Sequence, residues 1–236
     1  MRSSVHAVIA VKSLGLAKSR LADRLLPQDR PQLVLAMLAD TVTAATSTPE
    51  IASVTVVTPD QRVSQLVRGL GARVHPEPPV SAPHTGLNTA LSAAATTVRA
   101  VHGPVELLAL QADLPALRPH ELSDMLRSAA GLRRAVVADH TATGTVALLV
   151  GDGTSALNPL FGTDSARRHI DAGAMELRGE WPGLRQDVDT ADDLARAMEL
   201  GVGVNTGALL RELDMSHRGG GKSTVARTGP PVRRPA

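Results

Sequence analysis

The chain of 236 residues has no cysteine, no tyrosine, and only one phenylalanine and one tryptophan. Without cysteine there is no disulfide framework, thiolate zinc site, iron–sulfur cluster or cysteine nucleophile. The near absence of aromatic rings argues against a stacking platform for single-stranded nucleic acid. No apolar run approaches the roughly 18 residues needed to span a bilayer. The N-terminal run Val5–Val11 is too short for a secretory core and ends at Lys12. There is no Gly-x-Ser-x-Gly elbow, and the eight histidines show no metal-ligand spacing. The cytoplasm is the expected location.

The 43% apolar and 20% charged content that remains suits one folded domain. The net charge of +2 averages two unlike parts. Ser216–Ala236 holds five basic residues and no acid, leaving a body near −3 with 20 basic and 23 acidic residues. Nucleic acid is therefore not an indicated partner of the body. Residues 1–214 form the expected domain, and 215–236 read as a disordered basic Gly/Pro/Arg-rich tail. Gly219–Ser223 is not a phosphate-binding P-loop, since Ser216 stands where that motif needs glycine and no strand precedes it.

Strands are expected at Val5–Val11, Ser53–Thr58, Ala72–His75, Val105–Leu110, Ala135–Ala138 and Thr145–Val150. A short extended segment is expected to end at Asp187–Asp189. Helical spacing follows Pro31 (Leu33/Met37, Val34/Leu38/Val42) and recurs at Val63–Leu70. It recurs again through Leu87, Leu91, Ala94, Val98 and Val101, and after Pro119. Ser165–Ala172 and Thr190–Leu200 complete the set, with Thr190 and Asp193 as a capping box. The alternation predicts an α/β fold with a mostly parallel central sheet and helices on both faces.

Ligands of open α/β sheets bind beyond the carboxyl ends of the strands. Two of only three lysines, Lys12 and Lys18, flank the loop after the first strand, with Arg20 beside them. That loop is either a polyphosphate site or a solvated basic loop. Asp113 ends an apolar run and is either a turn residue or a metal ligand. Asp187 and Asp189 leave one face if extended, where their repulsion calls for a cation or donors; Asp189 otherwise helps start the next helix. Gly162 to Ser165 precede a helix, where an anion could meet free N–H groups and Thr145 could add a hydroxyl; ordinary caps are the alternative.

Five separated motifs share a resemblance: Lys12–Leu21, Leu87–Leu91, Gln111–Pro115, Phe161–His169 and Asp187–Thr190. In order and content they resemble the guanylyltransferases of coenzyme F(420) biosynthesis, over roughly residues 5–205. The phosphoenolpyruvate branch is the most similar, and archaeal relatives use 2-phospho-L-lactate. The resemblance implies a single-domain nucleotidyltransferase fold similar to the molybdenum-cofactor guanylyltransferases. It implies transfer of GMP from GTP to phosphoenolpyruvate with magnesium. Asp113, Asp187 and Asp189 would be metal-associated, with Asp113, Lys18 and Arg20 catalytic. Lys12, Lys18, Arg20 and Asn88 would bind the nucleotide, and Thr145, Gly162 and Ser165 the phosphoenolpyruvate. The base pocket is expected around Pro59 and residues 83–88. Ala191 stands where the family usually has proline. The product would pass to the next transferase of the pathway. A homodimer is compatible with the sequence, which leaves the oligomeric state open.

Overall fold

The computed structural model describes residues 5–12, 14, 18–21, 25–78 and 86–219. Residues 83–85 of the expected base pocket and the tail from 220 onward lie outside them. Within these residues seven strands form: β1 (Val5–Ala10), β2 (Ile51–Val57), β3 (Arg73–His75), β4 (Glu106–Leu110), β5 (Arg134–Ala138), β6 (Thr145–Val150) and β7 (Met175–Glu176). They make one sheet in the order β3-β2-β1-β4-β6-β5-β7. Four of the six pairings are parallel, and β6 runs antiparallel to both β4 and β5. Among the described residues, eight α-helices accompany them: α1 (Arg30–Thr46), α2 (Gln61–Gly69), α3 (Leu87–His102), α4 (Pro119–Ser128), α5 (Ser165–Asp171), α6 (Pro182–Arg185), α7 (Ala191–Leu200) and α8 (Val204–Gly219). Among the described residues, no helix is long and apolar enough to cross a membrane.

The strands read as unbroken apolar runs because both faces of the sheet are covered. Along β4, Leu108 and Leu110 enter the larger core, which includes Leu33, Met37 and Leu38 of α1 and Leu122 and Met125 of α4. Leu107 and Ala109 alternate into a smaller core, where Ala90, Leu91, Ala94 and Val98 of α3 meet Leu157 and Phe161. The apolar stripe of α3 ends one turn earlier than its spacing suggests, because Val101 is exposed. Trp181 is buried, only 5% exposed. α8 continues to Gly219, past the boundary at 214 expected from composition.

The chain winds outward from β1 through β2 to β3, then returns through α3 to β4 on the other side of β1. The crevice at such a switch point opens at the carboxyl ends of β1 and β4. The amino end of β6 joins them, since Leu110 pairs with Ala147 and Gln111 N–H donates to the Val146 carbonyl at 2.9 Å. Buried polar groups on α1 fix this end of the molecule. The Thr41 hydroxyl donates to the Met37 carbonyl at 2.9 Å and accepts from Leu114 N–H at 3.1 Å, pinning the turn after β4. Asp40 accepts from the Asn205 and Thr206 N–H groups at 3.0 and 2.9 Å, holding the start of α8.

Candidate active site

Asp113 lies three residues past β4, in the turn that Thr41 anchors. Its carbonyl accepts from Val188 N–H at 3.2 Å, which draws residues 186–189 across the end of β4. The same segment is held from behind. The Arg185 guanidinium donates to the Ala138 and Leu177 carbonyls, each at 2.8 Å, and lies 5.9 Å from the Trp181 ring. Glu121, buried on α4, accepts from Gly183 N–H at 2.8 Å and Arg118 N–H at 3.0 Å. Gly183 has no room for a side chain, because a Cβ there would lie 2.3 Å from the Ala116 carbonyl oxygen.

Lys18 enters from the loop after β1 with a left-handed backbone, φ +57°. Its ammonium donates to Asp113 Oδ2 and to Asp189 Oδ1, the latter at 2.8 Å. One cation thus ties together three segments that are remote in sequence. Burial works to lower the Lys18 pKa, but the charges of Asp113 and Asp189 outweigh it and hold the group well above its ordinary value. Asp187 lies alongside, with Oδ1 3.7 Å from His140 Nδ1. Its carboxyl is pushed up to about 7, first by burial, then by the charges of Asp113, Asp139 and Asp189, with Lys18 opposing.

Residues 187–189 join no sheet, β7 lying earlier at Met175–Glu176, but burial alternates through the segment, with Gln186 and Val188 buried and Asp187 and Asp189 more exposed. Val188 is buried between the two aspartates, whose side chains are 19% and 56% exposed. The Thr190/Asp193 capping box is present, with Asp193 N–H donating to Thr190 Oγ1 at 3.2 Å and Thr190 N–H to Asp193 Oδ2 at 2.8 Å. A cleft of about 550 Å³ opens beside the aspartates. Arg20, Asp139, His140, Asp187, Asp189 and Arg196 are among its walls. Lys12 is exposed just past β1.

Asp113, Asp187 and Asp189 are the carboxylates here that could hold a divalent cation. Asp113 Oδ1 is buried with no hydrogen-bond partner, and the charged form of Asp187 is disfavoured by burial and by three neighbouring aspartates. Among the described residues, no three acidic or histidine side chains are disposed to grip an ion as they stand. The gap between Asp113 and Asp189 is taken by the Lys18 ammonium.

The residues expected at the small acid form a second group at the start of β6. Thr145 and Ser165 are buried, and Thr145 Oγ1 lies 3.1 Å from His169 Nδ1. His169 Nε2 accepts from Leu160 N–H at 2.8 Å, which leaves the proton on Nδ1, facing Thr145. The ring is kept neutral, its pKa pushed down to about 4, first by burial; the Ser165 backbone opposes this, and Arg134 and Arg168 add to it. Gly162 has φ +127°, and a Cβ there would lie 3.8 Å from Arg168 Nη1. The Asn88 side chain donates to the Phe161 carbonyl at 3.0 Å and accepts from Phe161 N–H at 2.8 Å. It fastens the loop before α5 to the start of α3. The two groups are linked through Gln111, whose amide donates to the Thr145 carbonyl at 3.3 Å, two residues before Asp113.

Sequence reasoning missed His140, His169, Asp139 and Glu121. The histidines had no spacing to betray them, because their partners are far along the chain. Asp139 accepts from Thr143 and Gly144 N–H at 3.1 and 3.0 Å, shaping the turn that leads into Thr145.

Comparison with known proteins adds an independent line. Residues 5–227 match the family described as "Guanylyl transferase CofC like". A phosphoenolpyruvate guanylyltransferase of Nocardia farcinica is 65% identical over 215 residues, covering 91% of this chain and 94% of its own. One from Rhodococcus erythropolis is 48% identical over 221 residues, covering 89% and 96%. Among solved structures, a protein assigned as a nucleotide-diphospho-sugar transferase from Desulfovibrio desulfuricans superposes with a TM-score of 0.69 at 15% identity, covering 92% of this chain and 98% of that one. A 4-diphosphocytidyl-2C-methyl-D-erythritol synthase gives 0.55 at 10% identity, covering 85% and 99%. At such identities the structural likeness speaks to fold alone.

Proposed function

The chain belongs to the CofC-like guanylyl transferase family, and on that premise we propose that it transfers GMP from GTP to phosphoenolpyruvate in coenzyme F(420) biosynthesis. The observation that carries the reading is the meeting of Lys18 with Asp113 and Asp189, Asp187 alongside, at the switch point of the sheet.

A phosphate oxygen of phosphoenolpyruvate attacks the α-phosphorus of GTP. The new O–P bond forms as the bond to the β-phosphate oxygen breaks, and pyrophosphate leaves with that electron pair. The product is enolpyruvyl-diphospho-guanosine. The attacking oxygen is already anionic at neutral pH, so no side chain need remove a proton. That accounts for a site in which His169 is kept neutral and bonded to Leu160 N–H.

What the protein must overcome is charge. Two unit anions 4 Å apart repel by about 4 kcal/mol at an effective dielectric near 20, and these reactants carry several. Lys18 and Arg20 neutralise the triphosphate from the loop after β1, and Lys12 adds charge at the rim. Thr145, Gly162 and Ser165 seat the acceptor on a loop that Asn88 and His169 hold in shape, so that it meets the α-phosphorus in line. Asp113, Asp187 and Asp189 would hold Mg2+, which when bound supplies charge neutralisation at the phosphates. The product is itself an activated diphosphate, suited to direct transfer to the following enzyme.

The test is to incubate the purified chain with GTP, Mg2+ and phosphoenolpyruvate, and to identify the product by mass alongside pyrophosphate release. Parallel arms replace GTP by ATP or CTP, and phosphoenolpyruvate by 2-phospho-L-lactate. The reading expects the GMP adduct of phosphoenolpyruvate as the principal product. A larger yield with another base or acceptor overturns that assignment, and pyrophosphate release with no adduct overturns the transfer itself.

A further inference from the structure

We propose that Lys18 is a resident counter-ion that competes with the divalent cation for Asp113 and Asp189, and that it leaves them for the triphosphate, so that cation and GTP strengthen each other's binding. The inference rests on the reading of Asp113, Asp187 and Asp189 as the cation's ligands.

Lys18 is not placed as a lysine waiting for phosphate. Its side chain is only 11% exposed, and its ammonium already contacts two carboxylates. It takes Asp113 Oδ2 and Asp189 Oδ1, which leaves Asp113 Oδ1 buried and without a partner. A metal ion bound to these oxygens would sit where the ammonium now sits, since each needs bonding distance to the same two carboxylates. Two positive centres cannot share that gap, so the ammonium must withdraw. Withdrawal alone strands a charged group in a largely closed position. With a triphosphate present, the four-carbon stem can carry the ammonium to new anionic oxygens. The cation therefore binds weakly without nucleotide and tightly with it. By linkage the cation must strengthen nucleotide binding by the same factor.

Mn2+ serves as a paramagnetic probe, titrated into the full chain without nucleotide and read by electron paramagnetic resonance. Lys18→Met is expected to bind Mn2+ at least tenfold more tightly than the wild type. Lys18→Arg, which keeps the charge, stays near wild-type affinity. Adding Asp189→Asn to Lys18→Met removes most of the gain, locating the ion. Equal or weaker binding by Lys18→Met overturns the proposal. Saturable binding by none of these proteins overturns it together with the cation reading. Product formation in the transfer assay is judged separately, so the two failures are distinguishable. A second measurement needs no variant. Acylation of Lys18 by an amine reagent, mapped by mass spectrometry, should rise several-fold when Mn2+ is added to the wild type. An unchanged yield at saturating Mn2+ also overturns the proposal.

Discussion

Replacing Asp187 by Asn should stabilise the cation-free protein at alkaline pH and leave it unchanged in acid. The carboxyl titrates near 7 in the fold against about 3.8 when unperturbed. Between those values the native state holds a proton that the unfolded chain has lost. Stability therefore falls as pH rises through that window, and the full loss is felt above pH 7. At about 1.4 kcal/mol per decade the ceiling is about 4 kcal/mol. The side chain is 19% exposed, so relaxation and solvent reduce this, and about 2 kcal/mol is the working figure. In a domain of this size that corresponds to a gain of roughly 4–8 °C in melting temperature. Asparagine is neutral and nearly isosteric, so it mimics the protonated acid. The assay is urea unfolding of wild type and Asp187→Asn at pH 5, 6, 7 and 8, with a chelator and constant ionic strength. The gap should open progressively and be largest at pH 8. A gap independent of pH, or a variant no more stable than wild type at pH 8, refutes the crowding of aspartates that the argument requires.

Asn88→Ala removes both bonds to the Phe161 backbone and should cost about 1–2 kcal/mol of stability. It should also raise KM for the phosphoacid more than KM for GTP, which steady-state kinetics would show. Gly183→Ala places a methyl against the Ala116 carbonyl and the Glu121 carboxylate, costing about 1–3 kcal/mol. Because this shifts the segment bearing Asp187 and Asp189, kcat should fall further than a surface mutation of equal stability cost. His169→Gln loses the bridge between Thr145 and Leu160. Its KM for the phosphoacid should rise at every pH from 6 to 9, because the wild-type ring is neutral throughout that range.

The strands and most helices could be read from the sequence because burial on both faces leaves a simple trace: short apolar runs, then 3.6-residue stripes. Val101 misled because it continues the α3 stripe in sequence but is exposed, the next residue, His102, being the one that meets His6 of β1. Asp113 was legible from its place at a strand end. Asp187 and Asp189 were legible from their i, i+2 spacing, and burial alternates about the buried Val188 between them. What brings them to Asp113 is the Val188–Asp113 backbone bond and the Arg185 and Glu121 contacts behind it, which no local pattern reveals. Asn88 shows the same limit. Its motif marked it as a binding residue; its amide also meets Phe161, 73 positions away, a pairing with no periodicity to reveal it. The bonds of His169 to Thr145 and of Lys18 to Asp189 are equally non-local. Pattern fixes elements, and only the packing of elements decides which remote polar groups meet.

The central claim is that guanylyl transfer takes place where Lys18, Asp113, Asp187 and Asp189 converge. Its most direct test is the rate of GMP-adduct formation from GTP and phosphoenolpyruvate by Asp113→Asn, measured beside the wild type, with folding checked by circular dichroism. The account predicts a folded variant at least about 100-fold slower, the scale expected when a group that organises transition-state charge is lost. A folded Asp113→Asn that forms the adduct at the wild-type rate would contradict it.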